Sequence, residues 1–343
     1  MTPLRIVHAV ASDRFAGVEQ FVLRLASEQA GQGHEVTVVG GAPARMAVAL
    51  QAAGARMVTA ARTGDVLRAV RRTRADVVNS HMTAADGACA IALLGRDTAL
   101  VSTRHFASRR GRFGPLPLDA IIRRRVDAEI SISRAVAGSI GAPSTVVHSG
   151  IPPAEVVSRG DRKRILMVQR LQPEKHTGIG VQAFAASGLA AEGWRLDVVG
   201  EGPERDQLTT LIEDLGVVEA VRLLGFRDDV PHLLAEASLL LAPCPAEGLG
   251  LAVLEAMAHA VAPIAAGAAG HLDLLEGLDD RAMFQPDDVA DAAAALRVFA
   301  GDPGRRGMLA RAARDRALTE FSLTQQAAGT EAVYRATIAR RSG

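Results

Sequence analysis

Short apolar runs alternate with stretches of helical periodicity along most of the chain. Leu4–Val10 is apolar except for Arg5 and His8, as in a strand covered on both faces of a parallel sheet. Val18, Phe21, Val22 and Leu25 follow at the spacing of one helix face. Further strands are expected at Glu35–Val39, Ala75–Asn79, Thr98–Ser102, Ala128–Ile132 and Thr145–His148. The alternation breaks at Gly150–Gly160, where Pro152 and Pro153 mark a linker. A second series then begins, with strands expected at Arg164–Gln169, Arg195–Val199, Val221–Leu224, Ser238–Ala242 and Val261–Ala265. The Ala- and Arg-rich end of the chain reads as helix.

Strands alternating with helices specify βαβ units and parallel sheets, so the fold class is α/β. At about 100–200 residues per domain, 343 residues suggest two domains. The pattern divides them into 1–152 and 153–318, with a last helix over 319–343 whose natural place is across the hinge. Two doubly wound, Rossmann-like halves joined by a hinge are expected to face each other across a cleft. Ligands of open parallel sheets bind beyond the carboxyl ends of the strands.

Composition narrows the choice. A formal net charge of +1 gives no overall field to draw the chain to nucleic acid. With 48% hydrophobic and 22% charged residues, the chain can bury a sizeable core, but at 3% aromatic it must pack largely with Ala, Val and Leu. Cys89 and Cys244 have no metal-type spacing and read as buried thiols of a reducing compartment. The amino-terminal residues pass straight into a strand pattern without the features of a signal peptide, which makes a cytoplasmic location the expectation. The most apolar region, 233–275, is interrupted by Pro243, Pro245, Glu247 and Glu255 and reads as buried strands and helices.

Four motifs carry candidate chemistry. Gly17 directly precedes the first helix, whose free amides suit an anion; the plain alternative is a strand-to-helix turn. It lacks the G-x-G-x-x-G of a dinucleotide fold, which argues against an NAD-dependent dehydrogenase. Arg170 and Lys175 flank a Pro173 turn at a strand end, a guanidinium fork and a point charge suited to a diphosphate. A solvated turn is the alternative, but lysine is so scarce here, at Lys163 and Lys175 alone, that function is the better reading. Gly200–Pro203 (G-E-G-P) permits a tight turn with exposed amides. The strongest signal is P-A-E-G-L-G-L-A-V-L-E. There Glu247 precedes a helix opened by Gly248, Leu249 and Gly250, and Glu255 lies inside that helix. At ~1.5 Å rise per residue the carboxylates are expected roughly 8–12 Å apart, too far for one acid–base couple and suited to two parts of one extended ligand.

Glu247 and Glu255 resemble the E-x7-E motif of the family 4 glycosyltransferases, which have the GT-B fold. Supporting matches are Ala16-Gly17, Asn79-Ser80-His81, Ser102-Thr103-Arg104-His105, Val147 to Ile151, Arg170 to Lys175, Gly200 to Pro203 and Leu224 to Val230. The resemblance implies a donor that is a nucleotide diphosphate sugar, UDP- or GDP-linked, held mostly by the second domain. Arg170 and Lys175 would hold the diphosphate, helped by Gly17 from the first domain. Glu255 would bond the ribose hydroxyls. Glu247 and the amides of Gly248, Leu249, Gly250 and Leu251 would hold the sugar hydroxyls and phosphate. The backbone around Phe226 and Arg227 would meet the base, and His105 would sit near the transferred sugar. The family retains anomeric configuration and needs no metal or other cofactor; the chain has no D-x-D pair. His176, Ala260 and Ala269 stand where the family often has glycine, and Leu249, Cys244, Ala262 and Asp273 also depart from its pattern, which leaves the sugar open.

No side chain is an obvious nucleophile, so a front-face mechanism, with the leaving phosphate taking the acceptor proton, asks least of the protein. The acceptor is an unidentified hydroxyl compound: a glycan, a lipid-linked or a small molecule. The stretch Arg109–Arg125 carries Arg109, Arg110, Arg112, Arg123, Arg124 and Arg125 among apolar residues. It reads first as a solvated helix face, and second as a basic surface for an anionic acceptor or for peripheral contact with the inner membrane face. Two other functions fit the same fold: a nucleotide-sugar epimerase, and a non-catalytic nucleotide-sugar-binding protein.

Overall fold

A computed structural model describes residues 2–107, 110–113 and 116–342. The chain forms two compact units, Met1–Gly150 with Phe321–Gly343, and Ile151–Glu320.

The first unit contains β1 (Arg5–Val10), α1 (Gly17–Gly31), β2 (Glu35–Val39), α2 (Pro43–Ala52), β3 (Arg56–Val58), α3 (Thr63–Arg72), β4 (Val77–His81), α4 (Met82–Ala92) and β5 (Ala99–Arg104). A short antiparallel pair, β6 (Arg112–Phe113) and β7 (Leu116–Pro117), then leads to α5 (Leu118–Arg123), β8 (Ala128–Ser131), α6 (Arg134–Ser139) and β9 (Thr145–Val146). The main sheet has the order β3-β2-β1-β4-β5-β8-β9, with every pairing parallel. Val7, Ala9, Val39, Val78 and Leu100 pack with Val66, Val70, Cys89 and Leu93 in its core.

The second unit contains β10 (Arg164–Val168), α7 (Thr177–Ser187), β11 (Arg195–Val199), α8 (Arg205–Asp214), β12 (Val221–Gly225), α9 (Val230–Ala235) and β13 (Leu239–Ala242). It continues with α10 (Leu251–Ala258), β14 (Ala262–Ala266), α11 (Gly270–Leu275), β15 (Met283–Phe284), α12 (Val289–Gly301) and α13 (Pro303–Glu320). Its sheet order is β12-β11-β10-β13-β14-β15, again parallel throughout. Ile165, Met167, Val198, Leu241 and Ile264 pack with Phe184, Leu296 and Phe299. The final helix, α14 (Leu323–Ser342), belongs to the first unit, where it packs on α1, β5 and β8.

Both sheets have the doubly wound order, in which the chain leaves its first strand to one side and returns to build on the other. The switch points lie between β1 and β4 and between β10 and β13. Two strands differ from the apolar pattern in a way that matters for the site. β4 runs on through Ser80 to His81, and β5 on to Arg104, because those polar side chains are buried against partners inside the protein. The edge strands β3 and β15 are too short to show a period.

Backbone geometry explains some glycines and some departures from them. Gly200 has φ +140°, and a Cβ there would lie 1.8 Å from the carbonyl oxygen of Gln169. By contrast His176, Ala260 and Ala269 take φ of +52°, +56° and +47°, the left-handed region that favours glycine. Gly200→Ala is therefore expected to lower stability by about 2 kcal/mol or more, whereas Ala260→Gly is expected to raise it by up to about 1 kcal/mol. Urea unfolding of both variants checks the opposite signs.

Candidate active site

The residues singled out in the second half meet at its switch point. After β10 the chain turns through Gln169 to Lys175, and Gln169 Nε2 holds the turn by donating to the Lys175 carbonyl (3.1 Å) and Thr177 Oγ1 (2.9 Å). After β13 it passes Cys244, whose thiol donates to the Glu174 carbonyl (3.2 Å), and reaches Glu247. Because β10 and β13 are neighbours, these two loops face each other. Lys175 Nζ donates to Glu247 Oε1 at 2.6 Å, and both side chains are mostly buried.

Next to this pair α10 begins. Gly250 precedes it with φ +98°, and the first helical bond runs from Leu254 N to Gly250 O (3.0 Å). The amides of Leu251, Ala252 and Val253 come before that bond and form the positive end of the helix. Leu249 and Gly250 are buried, so Leu249 offers a ligand only its backbone. The loop is held from behind by Gly270, whose amide donates to the Glu247 carbonyl (3.0 Å); a Cβ on Gly270 would lie 2.3 Å from Leu249 Cα. Glu255 sits half-buried in the second turn of α10.

The other residues of the second unit expected to meet the donor lie along the same sheet end. Gly200 follows β11, and Phe226 and Arg227 follow β12. Phe226 is 64% exposed, and Arg227 is engaged by Asp229 through two bonds of 2.7 and 2.5 Å. Arg170 and Lys175 are not a matched pair of free cations: exposed Arg170 reaches Glu174 on its own turn (3.3 Å), while Lys175 turns inward to Glu247. Sequence reasoning missed His271. It is buried beside Gly250, and its Nδ1 donates to the Ala266 carbonyl (3.0 Å), leaving Nε2 as an acceptor. Burial lowers its pKa.

In the first unit, Gly17 is the first residue of α1, and Glu19 accepts from the Ala16 amide (3.0 Å) just before it. His105 follows β5 and is one end of a line of three imidazoles. Its Nε2 is 3.0 Å from His81 Nδ1, His81 Nε2 is 3.1 Å from His8 Nδ1, and His8 Nε2 is 2.8 Å from Gln29 Oε1. Phe21 packs edge-on against His105. All three rings are buried, and burial holds them neutral: His8 is pushed down to about 4, His105 to about 3, and His81 well below the usual range. His105 is thus too weak a base to take a proton near neutral pH but remains a hydrogen-bonding group. No motif in the sequence pointed to His8, which sits within an apolar run, or to Gln29, which stands between Glu28 and Ala30 near the end of α1.

The basic stretch does not form one continuous charged surface. Arg109 and the side chains of Arg112, Phe113, Leu116 and Leu118 lie outside the described residues. Arg110 is fully buried, bonded to Asp86 (2.6 Å), Glu129 (2.8 Å) and Ser102 (2.8 Å), because a buried guanidinium requires such partners. Arg123 donates to the Ile140 carbonyl (2.6 Å), and Arg125 to that of Thr98 (2.8 Å). Arg124 and Ile121 are exposed, while Ile122 is buried. Among the described residues, no group of three or more His, Cys, Asp or Glu side chains is placed to hold a metal ion, and no helix is long and apolar enough to cross a membrane.

The neutral histidines set a pH dependence. In the unfolded chain they titrate near 6.5, so below that pH the unfolded state binds more protons than the folded one. Stability is complete above pH 6.5 and falls as the pH drops toward 4, by about 1.4 kcal/mol per pH unit for each histidine. Urea midpoints measured at pH 7.5, 6 and 5 are expected to decrease in that order; a constant midpoint would contradict neutral burial of the three rings.

Comparison with known proteins places this arrangement. The model for Glycosyltransferase Family 4 matches residues 15–155, and that for Glycosyl transferases group 1 matches residues 153–316. A glycogen synthase of Mycobacterium tuberculosis is 29% identical over 77% of this chain and 69% of its own length. An exopolysaccharide phosphotransferase of Streptomyces coelicolor is 34% identical over 41% of this chain, which spans only 15% of that protein. The crystal structure of Anabaena HepE in complex with UDP and glucose superposes with a TM-score of 0.80, at 18% identity and over 96% of this chain and 99% of that one. A likeness at this identity establishes the fold, GT-B, with its two parallel-sheet α/β domains. The two family models follow one another in chain order and together run from residue 15 to residue 316, so the chain belongs to the family 4, group 1 glycosyltransferases.

Proposed function

We propose that the protein is a retaining, metal-independent glycosyltransferase that moves a hexose-type sugar from a UDP- or GDP-sugar to a hydroxyl acceptor. The observation that carries this reading is the Lys175–Glu247 pair beside the start of α10. An ammonium has three donors, and the bond to Glu247 uses one. The others are available to the phosphate oxygens of a donor, alongside the amides of Gly248 to Leu251. Glu247 keeps a second oxygen for a sugar hydroxyl. As the glycosidic bond breaks, negative charge grows on the leaving diphosphate, and Lys175, Arg170 and the helix amides stabilise it. The leaving phosphate takes the proton of the attacking hydroxyl.

In the same reading Glu255 binds the ribose, and the backbone at Phe226 and Arg227 meets the base. The reported complexes of HepE with UDP and UDP-glucose support this donor class. Peripheral membrane contact, where it forms, uses the exposed Phe106, Ile121 and Arg124. Binding to anionic vesicles at low salt, weakened by Arg124→Glu, checks it.

A thermal-shift panel of nucleotide diphosphates and their sugars tests the donor. Saturation at about 100 times Kd adds about 2.7 kcal/mol of stability, so one base is expected to raise the melting temperature by several degrees. No shift with any nucleotide would reject the reading. With the donor known, Lys175→Ala is expected to lower kcat/KM by about 10²-fold or more, with EDTA leaving turnover of the unaltered protein unchanged. NMR of the product gives the anomeric configuration.

A further inference from the structure

We propose that Gln29, His8 and His81 are positioning residues that hold His105 as its Nε2–H tautomer, so that His105 Nδ1 accepts a hydrogen bond from a substrate hydroxyl. The substrate half of this proposal rests on the function proposed above; the tautomer half does not.

The argument follows the protons. A neutral imidazole has one N–H and one bare nitrogen. The Gln29 carbonyl oxygen can only accept, so His8 must donate to it through Nε2. His8 Nδ1 is then bare and must accept from His81 Nε2. His81 Nδ1 is bare in turn and must accept from His105 Nε2. His105 is left with a bare Nδ1. Each ring is fixed by the one behind it, and the direction of the whole line is set at Gln29. Turning that amide through 180° would bring its nitrogen to His8, reverse all three bonds, and give His105 an Nδ1–H donor instead. Among the described residues Gln29 Nε2 makes no hydrogen bond of normal geometry, but the amide lies close enough to the Tyr334 hydroxyl to act on it, so its orientation is the control point of the line.

The line also lies in the right place. His8 is within β1, His81 ends β4 and His105 follows β5, three adjacent strands of the sheet. In register, His81 pairs with Val10 on one side and Thr103 on the other, at the carboxyl ends where an open parallel sheet binds its ligand. Three buried imidazoles in series give no packing advantage over apolar side chains and cost desolvation, so a fixed acceptor at the His105 end of the line is the property that the arrangement adds.

Long-range 1H–15N NMR of 15N-histidine protein reads the tautomers directly, with signals assigned from His8→Asn, His81→Asn and His105→Asn. Between pH 7 and 5.5 all three are expected neutral and protonated on Nε2. Protonation of His105 on Nδ1 would overturn the polarity whether or not the protein transfers sugar. Gln29→Leu removes the terminal acceptor and is expected to mix the tautomers of His105 and lower kcat about tenfold with little change in donor KM. Gln29→Glu, whose carboxylate only accepts, is expected to restore both. Mixed tautomers with unchanged kcat in a folded Gln29→Leu protein would refute the positioning role, and so would failure of Gln29→Glu to rescue. Circular dichroism and melting temperature confirm that each variant is folded.

Discussion

In each unit the first strand is flanked by the second on one side and the fourth on the other, and the rest of the structure depends on that arrangement. Parallel crossovers are almost always right-handed, so a chain that builds in both directions from its first strand lays helices on opposite faces of the sheet. The loops at the carboxyl ends of the two central strands then part, and the backbone between them is left for a ligand. In the second unit those loops carry Lys175 and Glu247, which are 72 positions apart in the chain but 2.6 Å apart in space. In the first unit the corresponding ends carry His81 and, one strand further, His105.

Buried charge among the described residues is held by ion pairs or by backbone groups, as Arg306 is by the carbonyls of Phe299 and Gly160. Arg110 is enclosed by Asp86 and Glu129, and burial still pushes the Asp86 carboxyl up against the pull of Arg110. Asp197 is held by Arg222 through two bonds of 2.7 and 2.8 Å. Such pairs fix loops and strands but offer a substrate nothing, because their donors and acceptors are already taken. Lys175 and Glu247 differ because neither is fully enclosed and each keeps unused hydrogen-bonding capacity beside the positive end of α10. This separates the structural ion pairs from the one to which we assign the diphosphate of the donor.

Neutral polar groups are used similarly in the first unit. Asn79, Ser80 and His81 extend β4 into the interior, where Asn79 donates to Tyr334 (2.6 Å) and Ser80 to Asp86 (2.6 Å). α14 therefore contributes to the order of the strand ends through Tyr334, although it is the last element of the chain. A polar cluster of this kind is stable only when each member has a partner, so it holds side chains at one geometry where an apolar core would tolerate several.

Much of this was legible in the sequence. The alternation of buried strands and amphipathic helices specified two α/β halves, since period and burial are local properties that neighbouring residues reveal. Glu247, Gly250 and Glu255 could be placed on a loop, a helix start and a helix for the same reason. Their spacing, with the other motifs in order, pointed to the family. What the sequence left open depends on contacts between residues distant in the chain. It could not show that Arg110 is buried while Arg124 is exposed, since both stand in one basic run. It paired Arg170 with Lys175, whereas the neighbouring positions of β10 and β13 gave Lys175 to Glu247 and left Arg170 to Glu174. It treated His105 as a lone histidine, because His8 and His81 belong to other strands and only the sheet brings the three rings into line.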